Sequence, residues 1–373
     1  MRLRDAFLRH FGTNTLSGVT LGQWLRVLRD NCFSIDPSFW PRAALITLGA
    51  VPNSLVALAE QWRFGRAIDR TEIDPPLFIL GTWRSGTTHL HNLLAVDRRF
   101  AYPNLYQVTF PSTLLLTERG TAWLIEFCAP KQRPQDAVKI GVNEPQEEDF
   151  AMVSLSGQAN LLAWAFPRNA PFYDRFMTMT DLSAAELARW KTGYQHFLKK
   201  LTYKYRRPLV LKSPANTGRI KTLLELFPDA RFVHIHRNPY DVFRSVKHTL
   251  HTAGPWWQLQ RMNYEDDEAI HTQLIEQMKT LYGSYFAQRS LIPAGRLHDV
   301  AFENLERDPL GQVKCIYKSL DLPEFEHVEP RLSAYLDSIA DYKKNAFTEL
   351  PDGLRQRLYN EWKQCFDEWG YAA

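Results

Sequence analysis

At 373 residues, with 45% hydrophobic and 23% charged side chains, the chain has the make-up of a globular protein large enough to bury an elaborated core. Lys and Arg number 45 against 41 Asp and Glu, a net charge of +4, which argues against a nucleic-acid partner and suits a small anionic ligand or weak attraction to an acidic surface. Cys32, Cys128, Cys315 and Cys365 form no CxxC pair and read as free thiols of a reducing compartment. Residues 1–5 do not open a signal peptide, so the expected location is cytoplasmic.

Residues 1–74 read as a helical lead-in. Leu16, Val19, Leu21, Trp24, Leu25 and Leu28 recur at helical spacing, with Arg26 and Arg29 opposite. An apolar segment runs from Phe39-Trp40-Pro41-Arg42 to Val51, is broken by Pro52-Asn53-Ser54, and resumes from Leu55 to Glu60. So interrupted, it is too short to cross a bilayer, which takes about 20 apolar residues. Two readings of a helical hairpin stay open. It packs on the domain, or it lies in a membrane interface with Trp40, Trp62, Arg42 and Arg63 at headgroup depth, a peripheral contact through residues 39–60.

Pro75-Pro76 then introduce Leu77 to Leu80, a short buried strand. Gly81-Thr82-Trp83-Arg84-Ser85-Gly86-Thr87-Thr88 follows, and Leu90, Leu93 and Leu94 continue at helical spacing. Strand, glycine loop and helix aim backbone N–H groups and a helix dipole at one spot, which holds phosphate. The nucleotide-triphosphatase form GxxxxGK[ST] uses its lysine on the outer phosphates and its hydroxyl on Mg²⁺. Here Thr87 takes the lysine position and the cation stands inside the loop as Arg84, whose planar fork meets oxygens without a metal.

Residues 101–150 are rich in turn formers and aromatics, more like a substrate wall than a simple crossover, and contain Asn143-Glu144-Pro145-Gln146-Glu147-Glu148-Asp149. A helix over Leu182 to Tyr203 starts at Asp181 or Ser183, with Glu186 three residues after Ser183. A second strand, Pro208 to Leu211, ends in Lys212-Ser213-Pro214. A third, Arg231 to His236, ends in Arg237-Asn238-Pro239, and Ser245 lies on the helix after it. A helix over Glu268 to Gln288, a last strand over Leu297 to Phe302, a helix over Leu310 to Leu320 and a helical, aromatic tail complete the chain.

Strands alternating with helices predict an α/β protein: a P-loop-like parallel sheet flanked by helices, spanning 75–320, with the lead-in 1–74 before it and the tail 321–373 packed on it. Ligands of such sheets sit at the carboxyl ends of strands, which puts Arg84, Lys212 and Arg237 on one rim. Lys212 stands where a Mg²⁺-holding carboxylate would be sought, so the implied ligand is an anionic nucleotide bound without metal. Arg237 and Ser245 suit a further phosphate as fork and hydroxyl donor.

Arg84-Ser85-Gly86-Thr87-Thr88 after a strand, with His236-Arg237-Asn238-Pro239-Tyr240-Asp241-Val242 and Ser245, resembles the sulfotransferases. The likeness extends through Leu211-Lys212-Ser213-Pro214 and Phe302-Glu303-Asn304-Leu305 to Asp308-Pro309. It implies 3′-phosphoadenosine-5′-phosphosulfate (PAPS) as donor, with Gly81 and Arg84 to Thr88 on the 5′-phosphosulfate and Arg237 and Ser245 on the 3′-phosphate. The cytosolic small-phenol branch has lysine where this chain has Arg84. It also has a C-terminal glycine-and-lysine motif for which only Lys343 and Lys344 stand in, so the chain looks closer to the bacterial and Golgi-type branches.

Sulfuryl transfer needs alignment, charge neutralisation by Arg84 and Lys212, and a base for the acceptor. The candidate bases are Glu144, Glu147 and Glu148, then His89 or His91; His234 and His236 share one side of their strand and read as core. The aromatic stretches at 102–127 and 164–176 and the apolar lead-in suit an apolar, lipid-like or carbohydrate acceptor with a hydroxyl or amine. A metal-dependent nucleotide kinase and a non-catalytic nucleotide-binding or membrane-associated protein are the alternatives.

Overall fold

Four short strands carry the sheet: β1 (Leu77–Leu80), β2 (Val210–Lys212), β3 (Arg231–His236) and β4 (Leu297–Ala301), all parallel and ordered β2-β1-β3-β4. Every residue of β1 and β2 is buried, so both faces of the sheet centre are covered, as its unbroken apolar run requires. Phe78 at its middle stacks on Phe232 at 5.6 Å and lies 6.1 Å from Phe227. The chain moves to one side of β1 to make β2 and to the other side of β3 to make β4. The carboxyl ends of β1 and β3 therefore flank a crevice at the switch in direction.

In this computed structural model residues 16–128, 133, 135–136, 141–341, 345 and 347–373 are described. Lys343 and Lys344 lie outside them, as do residues 1–15. The chain divides into two compact units: residues 75–101, 207–250 and 264–373 form the sheet unit, and residues 1–74, 102–206 and 251–263 form the other. The stretch 102–206 thus groups with the lead-in.

Within the sheet unit β2 begins two residues later than the sequence suggests. Pro208 has no N–H to give, and the pairing there is an isolated bridge in which Ala101 N donates to Pro208 O at 2.8 Å and Val210 N to Ala101 O at 2.8 Å. β4 stops at Ala301, and Phe302 opens the helix Phe302–Arg307. The tail forms the helices Glu329–Ser338, Asp352–Glu361 and Lys363–Trp369.

In the other unit the helix Leu21–Asp30 buries Trp24, whose Nε1 donates to Thr47 Oγ1 at 2.8 Å, and Val27. Leu25, expected on the buried stripe, is 48% exposed. The expected hairpin is replaced by one helix, Trp40–Asp69, that runs straight through Pro52. An interior proline costs about 3 kcal/mol. Here anchors on the buried face offset it: Asn53 Nδ2 donates to Ser17 O at 2.8 Å and Arg42 Nη1 to Gln258 O at 2.7 Å. The Glu60 carboxylate pairs with Lys200 and accepts from Leu115 N at 2.7 Å and Leu116 N at 3.0 Å. By length and composition this helix is sufficient to cross a membrane, contrary to the sequence expectation. The helix Ala184–Tyr205 starts as foreseen, with Ser183 and Glu186 in a reciprocal cap: Glu186 N donates to Ser183 Oγ at 3.2 Å and Ser183 N to Glu186 Oε2 at 2.8 Å.

Candidate active site

The loop between β1 and the helix Thr87–Ala95 is shaped by its backbone. Gly81 (φ +140°) and Gly86 (φ +102°) take conformations that side chains disfavour, and neither has room for one. A Cβ on Gly86 would come within 2.3 Å of the Phe302 ring, and one on Gly81 within 2.5 Å of Ile235 O. Arg84 is itself left-handed at φ +69°, which costs a residue with a Cβ about 1–2 kcal/mol and persists because the loop is tied down around it. Gly81 N donates to Thr217 Oγ1 at 2.7 Å, the Ser85 hydroxyl to Thr82 O at 2.9 Å and the Thr82 hydroxyl to Met278 Sδ at 2.7 Å. Strand, glycine turn and helix N-terminus together are an arrangement of the kind that binds anions.

The cations converge on that loop. Arg84 Nε donates to Ser245 Oγ at 2.9 Å, and Arg237 Nη1 reaches Arg84 O at 3.4 Å. Arg237 is held by stacking on Phe302, 4.6 Å from the ring centre, and by Asp241 at 3.7 Å. Lys212, 3% exposed at the end of β2, points its Nζ at Thr88 Oγ1, 3.4 Å away. Arg84 thus links Ser245 and Arg237 at the loop, Lys212 approaches its far end at Thr88, and the connection of Arg84 to Ser245 is one that the sequence did not suggest.

The acidic candidates belong to the other unit. Glu148 is fully buried there and accepts from the Tyr194 hydroxyl at 3.0 Å, with Tyr194 stacked on Trp190 at 4.6 Å. Glu144 and Glu147 are half-buried in the loop before the helix Asp149–Leu155. Of the histidines, His91 lies fully buried beneath the rim, and burial with the nearby Lys212 charge pushes it down to about 3, so it is neutral. Burial lowers His89 as well.

His234 and His236 lie on β3, an inner strand of the sheet, towards its carboxyl end. His234 Nδ1 meets Asp299 Oδ1 at 2.8 Å, which also accepts from the Tyr285 hydroxyl at 3.1 Å. His236 is pushed down to about 4, first by burial and then by His234. It stacks on Trp369 at 4.8 Å, and its Nδ1 lies 2.9 Å from the Tyr371 hydroxyl, which donates to Glu303 Oε2 at 2.9 Å. Because that phenol gives its one hydrogen to Glu303, Nδ1 carries the proton of the imidazole. Glu303 Oε1 in turn accepts from Asn238 N at 3.0 Å. Tail, β3 end and the helix after β4 thus form a clasp next to Arg237. Neither this clasp nor Thr217 announced itself in the sequence, since each joins segments far apart in it.

The strand–loop–helix geometry and the parallel sheet define a P-loop-like α/β protein with cations around its glycine loop. Residues 75–327 match the model of the sulfotransferase family, and the chain belongs to that family: it is an enzyme, a sulfotransferase. It is 34% identical over 355 residues, 95% of this chain and 90% of the relative, to the omega-hydroxy-beta-dihydromenaquinone-9 sulfotransferase Stf3 of Mycobacterium bovis and equally to that of Mycobacterium tuberculosis. In fold it is similar to the sulfotransferase STF9 from Mycobacterium avium (TM-score 0.65, 17% identity, 94% of this chain and 96% of that one). The same holds for STF1 from Mycobacterium tuberculosis H37Rv (TM-score 0.63, 18% identity, 92% of each chain). Among the described residues no three His, Cys, Asp or Glu side chains gather as a metal-binding group.

Proposed function

We propose that the enzyme takes the sulfuryl group of PAPS and places it on a hydroxyl of a long, apolar, lipid-like acceptor. The observation that carries the donor assignment is the connected cluster Arg84–Ser245–Arg237 beside a loop whose glycines leave no room for side chains. In this reading Gly81 and Arg84 to Thr88 hold the 5′-phosphosulfate, and Arg237 and Ser245 hold the 3′-phosphate. The acceptor class is supported by the Stf3 relatives, whose name specifies an omega-hydroxylated dihydromenaquinone.

The acceptor oxygen attacks sulfur in line with the bridging oxygen. A new O–S bond forms as the old one breaks, and the electron pair leaves on 3′-phosphoadenosine-5′-phosphate. The acceptor proton passes to a carboxylate, assigned from the sequence to Glu144 or Glu148, while Arg84 and Lys212 neutralise charge growing on the departing oxygen. A cytoplasmic location with peripheral contact of residues 39–60 to the membrane goes with this reading, because such an acceptor dissolves in a bilayer and not in water.

Release of 3′-phosphoadenosine-5′-phosphate by the purified enzyme tests it. An omega-hydroxylated polyprenyl quinone in detergent is expected to support turnover, and a simple phenol to support little. Turnover with the phenol and none with the lipid would overturn the acceptor class. Turnover unchanged in Arg84→Ala would overturn the site.

A further inference from the structure

The helix Trp40–Asp69 has two faces of opposite kind. Its inner face is pinned to the protein by charged side chains that are themselves buried, Arg42 at 5% and Glu60 at 1% exposure. Its outer face carries Leu48, Val51, Leu55, Leu58 and Trp62 at alternating spacings of three and four residues, 48–88% exposed. Trp40, 62% exposed, stands at the start of this stripe and Trp62, 88% exposed, near its end. From residue 43 to residue 59 no side chain is charged, and the first exposed charges beyond are Arg63 and Arg66, followed by Asp69 and Arg70.

A second, separate feature of the same unit points the same way. After the neighbouring helix Leu21–Asp30, Cys32 and Phe33 both adopt left-handed φ (+53° and +55°), an unfavourable conformation for residues with a Cβ, and the turn leaves the Phe33 ring 62% exposed. Leu25 on that helix is 48% exposed.

We infer that this helix is a monotopic membrane anchor, lying in the plane of a bilayer with its Leu48–Trp62 stripe sunk to the acyl boundary. Apolar side chains in the middle, tryptophans towards both ends and arginines at one end are what a bilayer interface selects, the arginines meeting lipid phosphates. A partner helix would instead find its flanking positions here without a charge to set register. Crossing is excluded by the inner face: Arg42 and Glu60 keep their protein partners only if that side stays on the protein. The inference deepens the membrane contact of the proposed function and is independent of the sulfuryl chemistry.

The test is co-sedimentation of the full-length protein with vesicles of phosphatidylcholine, alone and mixed with phosphatidylglycerol, followed by an alkaline carbonate wash. The wild type is expected to bind both, more tightly when phosphatidylglycerol is present, and to be released by the wash. Leu48→Glu/Leu55→Glu/Leu58→Glu should weaken binding about tenfold or more. It should keep wild-type thermal unfolding and turnover of a detergent-dispersed acceptor. Trp62→Ala, at the most exposed site, should weaken binding by a smaller factor without any effect on folding. A wild type that ignores both vesicles, an unchanged triple variant, retention through the wash, or a lipid-free dimer that the triple variant splits would each overturn the inference. Because turnover is measured separately, loss of vesicle binding with activity intact strikes only the anchor, and the converse strikes only the chemistry.

Discussion

The two arginines of the rim reach nearly the same place by different means. Arg84 is set mainly by eight consecutive residues: two glycines, its own left-handed backbone and the Ser85 hydroxyl folded back on the loop, with Thr217 and Met278 steadying its start. Arg237 is set by its surroundings, with Phe302 under its guanidinium, Asp241 beside it and the Tyr371–Glu303–Asn238 clasp bracing the backbone that follows. A loop specified chiefly by its own backbone is less sensitive to change in its neighbours than to change in itself. A side chain held by long-range contacts can be loosened from a distance, and by degrees.

The sharpest way to break this contrast is Arg84→Ala, expected to lower kcat/KM by about 10³ or more, with Arg84→Lys recovering only part because the fork is lost. Steady-state rates decide it, and equal losses in Arg84→Ala and Tyr371→Phe would erase the distinction. Gly86→Ala attacks the loop's shape: with Phe302 only 2.3 Å from the new Cβ, urea unfolding should show a loss of about 2–4 kcal/mol.

Acid probes the other strand end. His236 has an ordinary value of 6.5 and sits at about 4 when folded. Between those values the unfolded chain binds a proton that the folded one refuses. Its contribution is therefore present in full at pH 7 and drains away as pH falls towards 4, by about 2 kcal/mol at pH 5. His91, at about 3, adds loss of the same sign over this range. Urea midpoints at pH 7 and pH 5 should separate less in His236→Gln than in the wild type. Arg237→Ala should raise the KM for PAPS about 10–100-fold with a smaller change in kcat. Tyr371→Phe, which removes the hydroxyl's hydrogen bonds to Glu303 and His236, two steps from Arg237, should raise that KM only about threefold and cost about 1–2 kcal/mol of stability. An effect on kcat alone would show that the clasp does not act through donor binding.

The legible part of the molecule follows the same division. The glycine loop, the Arg237…Ser245 spacing and the parallel sheet were read from local pattern, because strand, turn and helix are written in adjacent residues. Thr217 under Gly81 N and the aromatic tail on His236 were not, since nothing near either residue marks a partner that only folding supplies. Pro52 misled for a related reason. Its local rule ends a helix, yet Asn53, Arg42 and Glu60 anchor one side so firmly that the helix continues. Leu25 matched the apolar spacing of its helix and still faces outward.

The sheet order has a cost in time. β1, the middle of the sheet, is made near residue 80, and the strands on its two sides only after residues 210 and 231. A nascent chain must therefore carry Leu77 to Leu80 with both edges bare while some 130 further residues are synthesised, a template for mispairing and aggregation. Slow translation at low temperature and a chaperone that shields that segment should raise the soluble yield more than any change to the finished enzyme.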